Sequence, residues 1–166
     1  MALDPDAETL REYAFKASRK PSRGGVSNAL FVVETVEEPS PELAGLADEI
    51  HVVFPWAALL RGLLRPDPRL LRGLSTLAKP GARFELVLTY DAAHDHGAGV
   101  AAGSPSFDMD YMEGLRDSFA AAGLEVLDGR LLTLEEALAI PSTWGHRLLH
   151  GRPREVFLVR ATCRQA

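Results

Sequence analysis

At 166 residues, with 46% hydrophobic and 25% charged side chains, the chain has the make-up of one globular domain large enough to bury a core. No apolar run approaches the roughly eighteen residues of a membrane span, and Met1-Ala2-Leu3-Asp4-Pro5-Asp6 lacks the basic and apolar regions of a signal peptide, so a soluble, cytoplasmic protein with no membrane partner is expected. One cysteine, Cys163, excludes an internal disulfide and a cysteine-cluster zinc site, and a net charge of −5 is unlike that of a typical nucleic-acid binder.

The charge is unevenly spread. Six acids and no lysine or arginine lie between Glu34 and Glu49, whereas five arginines face one acid, Glu155, from Ser142 onward. Lys16, Arg19, Lys20 and Arg23 form a second basic cluster. A solvated surface explains either cluster alone; the two together point toward a polyanion.

In chain order, Ala2-Leu3-Asp4 reads as the end of a strand, followed by a helix that opens at Pro5 and Asp6 and runs to about Arg19 through Leu10, Tyr13, Ala14 and Ala17. Pro21 to Gly25 ends it. Asp4 and Asp6 both suit a helix start, so composition alone favours a capping role for Asp4. Ala29 to Val33 reads as a buried strand. Glu34 to Leu46 is an acidic connection with prolines, including Val36 and Glu37, which by composition is a solvated loop.

Ile50-His51-Val52-Val53-Phe54-Pro55-Trp56 is an apolar run that ends at a proline beside one of two tryptophans. It predicts a strand covered on both faces, because Pro55 cannot donate to a sheet ladder and pairing must stop there. Ala57 to Leu64 is helical in composition, so Trp56 falls on the turn after a strand's carboxyl end, the edge where open α/β sheets bind ligands. A tryptophan plugging the sheet-helix seam is the competing reading.

Pro68 to Ala78 has a helical period through Leu70, Leu71, Leu74 and Leu77, Lys79-Pro80-Gly81 stops it, and Arg83 to Tyr90 is a central strand. The stretch from Asp91 to Phe107 has no period and is long for a structureless loop in a compact domain, which marks it as a substrate-side loop. His94 and His96 with one aspartate between them fall short of a metal ligand set. A helix from about Asp108 to Ala122, a strand Leu124 to Leu131 and a short helix capped by Thr133 follow. Pro141 to Gly151, containing Trp144, then reads as a connection to a last strand, Glu155 to Ala161.

Two blocks carry a family resemblance. Phe54-Pro55-Trp56-Ala57-Ala58-Leu59-Leu60, with Leu71-Arg72-Gly73-Leu74 and Lys79 to Phe84 beyond it, and Ser142-Thr143-Trp144-Gly145-His146-Arg147-Leu148, with Gly151-Arg152 and Arg154, resemble the aminoglycoside-resistance 16S rRNA adenine-N1 methyltransferases of the Kam/Npm type. The similarity runs from Leu3 to near the C-terminus. It implies one domain over 1–166 with the α/β, Rossmann-like sheet of class I S-adenosylmethionine-dependent methyltransferases, here without the first strand and glycine-rich loop. Gly24-Gly25 does not replace that loop, since it follows a helix and precedes a strand. In this sheet type the absent strand would lie between the strands ending at Asp4 and Phe54, so those two either close up against each other or keep open edges that invite association.

The resemblance also implies roles. Trp56 and Trp144 would sandwich a flipped decoding-site adenine, Phe54 and Pro55 would shape the floor, and Ser142 would position the Trp144 segment. Asp4, Val36, Glu37, Val53, Ala58 and Leu59 would contact S-adenosylmethionine, Ala58 standing where a serine or threonine is frequent in the family. Lys16, Arg19, Lys20, Arg147, Arg152 and Arg154 would dock on phosphates of the 30S subunit, the full-length form acting as a monomer. Neutral adenine N1 has a free lone pair, so the transfer needs no general base and no metal, only alignment. Two other readings stand beside this one: a non-catalytic RNA-binding remnant, and a related transfer-RNA methyltransferase, which would not call for paired tryptophans.

Overall fold

The computed structural model describes residues 1–92, 94–95, 106–151 and 153–164; His96 and Arg152 lie outside them. Among the described residues six strands and six α-helices follow in the order β1 (Ala2–Asp4), α1 (Ala7–Ala17), β2 (Phe31–Val33), β3 (Ala47–Val53), α2 (Ala57–Leu64), α3 (Pro68–Leu77), β4 (Ala78–Thr89), α4 (Met109–Ala121), β5 (Leu124–Leu131), α5 (Leu134–Ala139), α6 (Thr143–Leu149) and β6 (Val156–Cys163).

The strands form two sheets. β1 and β2 pair in parallel, Leu3 opposite Val32. The other four are ordered β3-β4-β6-β5, with β3 and β4 parallel and β6 antiparallel to both its neighbours. The strands ending at Asp4 and Val53 do not pair with each other, so of the two expected outcomes the open edges are the one found.

Local sequence explains the helix starts. Asp67 accepts from the Arg69 amide at 2.7 Å with Pro68 in the first turn, Asp108 accepts from Tyr111, and Thr133 and Glu136 form a reciprocal capping box. Each such cap is worth about 1 kcal/mol. Packing does more. α3 buries Leu77 and lays Leu70, Leu71 and Leu74 onto the large core, which Phe84, Leu86 and Leu88 of β4 and Leu115 and Phe119 of α4 complete. Burying each of these side chains contributes roughly 1.5–3 kcal/mol, which outweighs any single cap.

Three expectations change. β3 is covered on one face: Ile50 and Val52 turn toward the core, while Glu49, His51 and Val53 stay exposed. Polar Glu49 and His51 at alternate positions were the signal for this, because a half-covered strand alternates and a fully covered one does not. β2 is likewise short and only half-buried. The third change is at Ser142–His150, where a helix, α6, replaces the expected connection.

Candidate RNA-base and cofactor site

Backbone strain marks the turn between β3 and α2. Phe54 and Ala57 have φ of 49° and 50°, in a region that residues with a Cβ avoid at a cost of roughly 1–3 kcal/mol each. Around them, Phe54 still donates its amide to the Val87 carbonyl at 2.9 Å, prolonging the parallel ladder by one residue. Pro55 is buried and Trp56 is the extended N-cap of α2, half-buried against Leu60 and Leu64 together with Tyr90 and Phe107. The turn therefore projects Trp56 beyond the strand end, on a rigid base.

Trp144 arrives from the other side. Ser142 caps α6 by accepting from the Gly145 amide at 3.0 Å, which sets the helix start and with it the direction of Trp144 in its first turn. Gly145 permits the close approach of α6 to the sheet: a Cβ there would lie 2.2 Å from the Phe54 ring. Phe54 is 3% exposed among Val87, Leu149, Val156 and Leu158, so its ring is the core residue on which α6 rests, and it is the backbone of Phe54 that faces the turn.

The two tryptophans meet edge to face, with ring centroids 5.6 Å apart and planes at 87°. A flat group stacked between two rings needs them near parallel, so in this arrangement the rings contact each other instead. Trp144 is 41% exposed and Trp56 is packed on α2, so Trp144 is the ring with freedom to turn. An edge-to-face pair is worth about 0.5–1.5 kcal/mol, less than the roughly 1–3 kcal/mol of a base stacked on an aromatic face. Trp144, Arg147, Leu148, His150 and Arg154 line a neighbouring pocket of about 320 Å³.

The residues expected to hold a cofactor lie at or just past the carboxyl ends of parallel strands. Asp4 ends β1, where its Oδ1 accepts from the Asp6 amide at 2.7 Å; Asp6, not Asp4, is the N-cap of α1. The composition-based capping role for Asp4 is thereby corrected. Val36 and Glu37 follow β2, and both are half-buried. Gly73 of α3 fixes that segment, since a Cβ at Gly73 would overlap the Val36 carbonyl, and Arg69 of α3 pairs with Glu38. Val53 and Ala58 are exposed or nearly so, while Leu59 packs partly into the large core. Two carboxylates for hydroxyls and an exocyclic amine, with apolar side chains for a flat ring, match the chemistry of an adenosine moiety. No group of three or more potential metal ligands is found among the described residues.

The basic residues divide. Lys16, Arg19 and Lys20 are exposed on and just after α1, Lys16 bonded to Glu12 at 2.6 Å and poised over the Tyr13 ring, Arg19 over Phe15. Arg147 is exposed on α6. Arg154 is not available as expected: its side chain is 6% exposed and grips Asp95 through two bonds of 2.7 and 2.8 Å. Hydrogen bonding to Asp95 raises its pKa further above the ordinary value. Asp95 was missed by sequence reasoning; an acid in a Gly/Ala/His-rich stretch has no local signature of burial.

Comparison with known proteins identifies the family. The family model NpmA: 16S rRNA (adenine(1408)-N(1))-methyltransferase matches residues 1–163. A 16S rRNA (adenine(1408)-N(1))-methyltransferase of Streptoalloteichus hindustanus is 36% identical over 154 residues, covering 93% of this chain and 71% of that protein. One from Escherichia coli is 33% identical over 161 residues, covering 96% and 74%. Among solved structures, a tryptophan-to-alanine mutant of the enzyme from Catenulisporales acidiphilia with its cosubstrate SAM superimposes with a TM-score of 0.85 at 32% identity, covering 98% of this chain and 74% of that one. With a family model spanning nearly its whole length and the paired tryptophans at the strand-turn and α6, the chain belongs to the 16S rRNA (adenine(1408)-N(1))-methyltransferase family.

Proposed function

We propose that the chain transfers a methyl group from S-adenosylmethionine to N1 of the adenine at position 1408 of 16S rRNA within the 30S subunit, which confers aminoglycoside resistance. The observation that carries this reading is the meeting of Trp56 and Trp144 at the carboxyl end of β3. Adenine within helical RNA cannot present N1, so it must leave the stack, and aromatic faces are how proteins hold an extruded base. Trp56, anchored on α2, supplies the fixed face; Trp144 turns to supply the second.

The cofactor, when bound, supplies an electrophilic sulfonium methyl. Everything left to the protein is placement. Asp4 and Glu37 would accept hydrogen bonds from the ribose hydroxyls and the adenine amine, with Val36, Val53 and Leu59 against the ring and Ala58 adding no hydrogen bond. Pro55 and the strained backbone at Phe54 fix where the target base stops, so that its N1 lone pair faces the methyl group. Orientation of this kind is worth roughly 7–11 kcal/mol of barrier and needs no basic side chain. Docking falls to Lys16, Arg19, Lys20 and Arg147, with Arg152 in the same basic stretch, and a cytoplasmic site of action follows from the ribosomal substrate.

The test is to incubate the chain with 30S subunits and S-adenosylmethionine and look for a reverse-transcription stop at that adenine. Trp56→Ala and Trp144→Ala should each lower the methylation rate by about tenfold to a hundredfold, as loss of one stacking face implies, with cofactor affinity nearly unchanged. Subunit binding without a stop would favour a non-catalytic RNA-binding role.

A further inference from the structure

Arg154 is spent on a carboxylate, and where that carboxylate sits gives the pair a task. Just after β4 the chain makes a tight turn in which the Asp95 amide donates to the Asp91 carbonyl at 2.8 Å and the Asp91 amide donates back to Asp95 Oδ2 at 2.9 Å. His94 Nδ1 lies 2.7 Å from Asp91 Oδ2. The turn holds the Asp95 side chain inward, 3% exposed, with both oxygens presented to the Arg154 fork. Arg154 comes from the segment between α6 and β6 and lines the same pocket as Trp144. The next residue is fastened too: the buried Thr89 hydroxyl at the end of β4 donates to the Glu155 carbonyl at 2.8 Å.

Such burial is weak evidence of a stabilising role. A buried ion pair roughly breaks even against an apolar pair of the same volume, and Arg154 Nε remains buried without a hydrogen-bond partner among the described residues. What a bidentate pair supplies is a single relative position. We propose that Asp95 and Arg154 form a latch that holds the Trp144-bearing segment against the end of β4, making both of them positioning residues for the stacking tryptophan. This rests on the proposed function for its purpose, though the latch itself can be read without any methylation.

With Trp56→Phe as background, Trp144 is the sole tryptophan and reports on its own surroundings. Asp95→Asn in that background should raise acrylamide quenching of Trp144 about twofold while the far-UV signal of the sheet persists, since local opening does not require global unfolding. Arg154→Lys, which keeps the charge but loses the fork, should give an intermediate value. Unchanged quenching in Asp95→Asn overturns the latch. If Asp95→Asn unfolds the sheet, Arg154→Lys decides in the same two directions. Arg154→Met should leave the salt dependence of 30S binding unaltered, since no phosphate contact is lost; a salt slope shallower by about one unit would instead make Arg154 a phosphate ligand and overturn the proposal. Loss of methylation with unchanged Trp144 quenching counts against the latch, whereas raised quenching in a chain that never methylates supports the latch and rejects the enzymatic reading.

Discussion

The four-stranded sheet and the two-stranded one meet the same solvent with very different interiors. Around β4, the residues Leu71, Phe119, Leu124 and Val159 are fully buried, and helices cover the sheet. Around β1 and β2, Leu10 is the buried hydrophobic residue of α1, while Tyr13, Phe15, Leu30 and Val33 are half or more exposed. That smaller unit is held by short-range devices: the Asp6 cap with its bonds to Glu8 and Thr9, exposed pairs such as Arg11–Glu8, and Gly25 buried against the Arg19 carbonyl. Exposed pairs contribute little. The proposed division of labour follows the same line, with base stacking on the rigid part and much of the docking charge on the softer part, where a polyanion surface can order it.

The contrast can be broken most forcefully from the core. Phe119→Ala should destabilise the fold by about 3–5 kcal/mol in chemical denaturation, because its site in the large cluster cannot collapse; Leu10→Ala should cost about 2 kcal/mol, the low end of the same range, since its thinly covered surroundings can close in. Equal losses would mean that the two regions unfold as one block. Gly73→Ala strikes the joint between them. Its new methyl meets backbone rather than a flexible side chain, so a loss of about 1–3 kcal/mol is expected, together with earlier proteolytic cleavage in the Val36–Glu38 segment and weaker cofactor binding. Wild-type cleavage kinetics would show that the acidic connection is fixed by something else.

Open edges on β1 and β3 predict self-association of residues 1–166, to be seen as a rising sedimentation coefficient over increasing concentration. A monomer at every concentration would show that these edges are sufficiently guarded. Lys20→Glu should weaken 30S binding and lower the salt slope by about one unit, since one phosphate is no longer neutralised, leaving thermal stability alone. The smallest effect is at Glu136, whose pKa is pulled down to about 2, first by the Arg130 guanidinium and then by the Thr133 amide. A depressed acid stabilises above its ordinary pKa, near 4.5, and loses that contribution as pH falls toward 2. Glu136→Gln should therefore flatten the acid limb of a melting-temperature profile between those values and change little at neutral pH, where the exposed pair is screened by solvent.

Much of the architecture was legible in order. Proline and aspartate at Asp67-Pro68, threonine and glutamate at Thr133 and Glu136, and the leucine spacing of α3 are local signals, and each element they mark is present within a residue or two. Trp56 and Trp144 were paired through a family likeness, and the structure brings them together edge to face. Less legible was α6, because seven residues containing a glycine carry too little period to separate a short helix from a connection.

What the sequence determined by itself is therefore every strand and helix but α6, the turn at Phe54-Pro55-Trp56 and the residue types offered at the strand ends, since these depend on neighbours a few positions apart. Tertiary structure decided which of those residues are free to act. Phe54 became a prop under α6 and Arg154 became the partner of Asp95, 59 residues away in the chain. Charge pairing and burial at that separation are settled by how the chain packs, and a side chain that looks exposed and basic in sequence carries no mark of the carboxylate that packing brings to it.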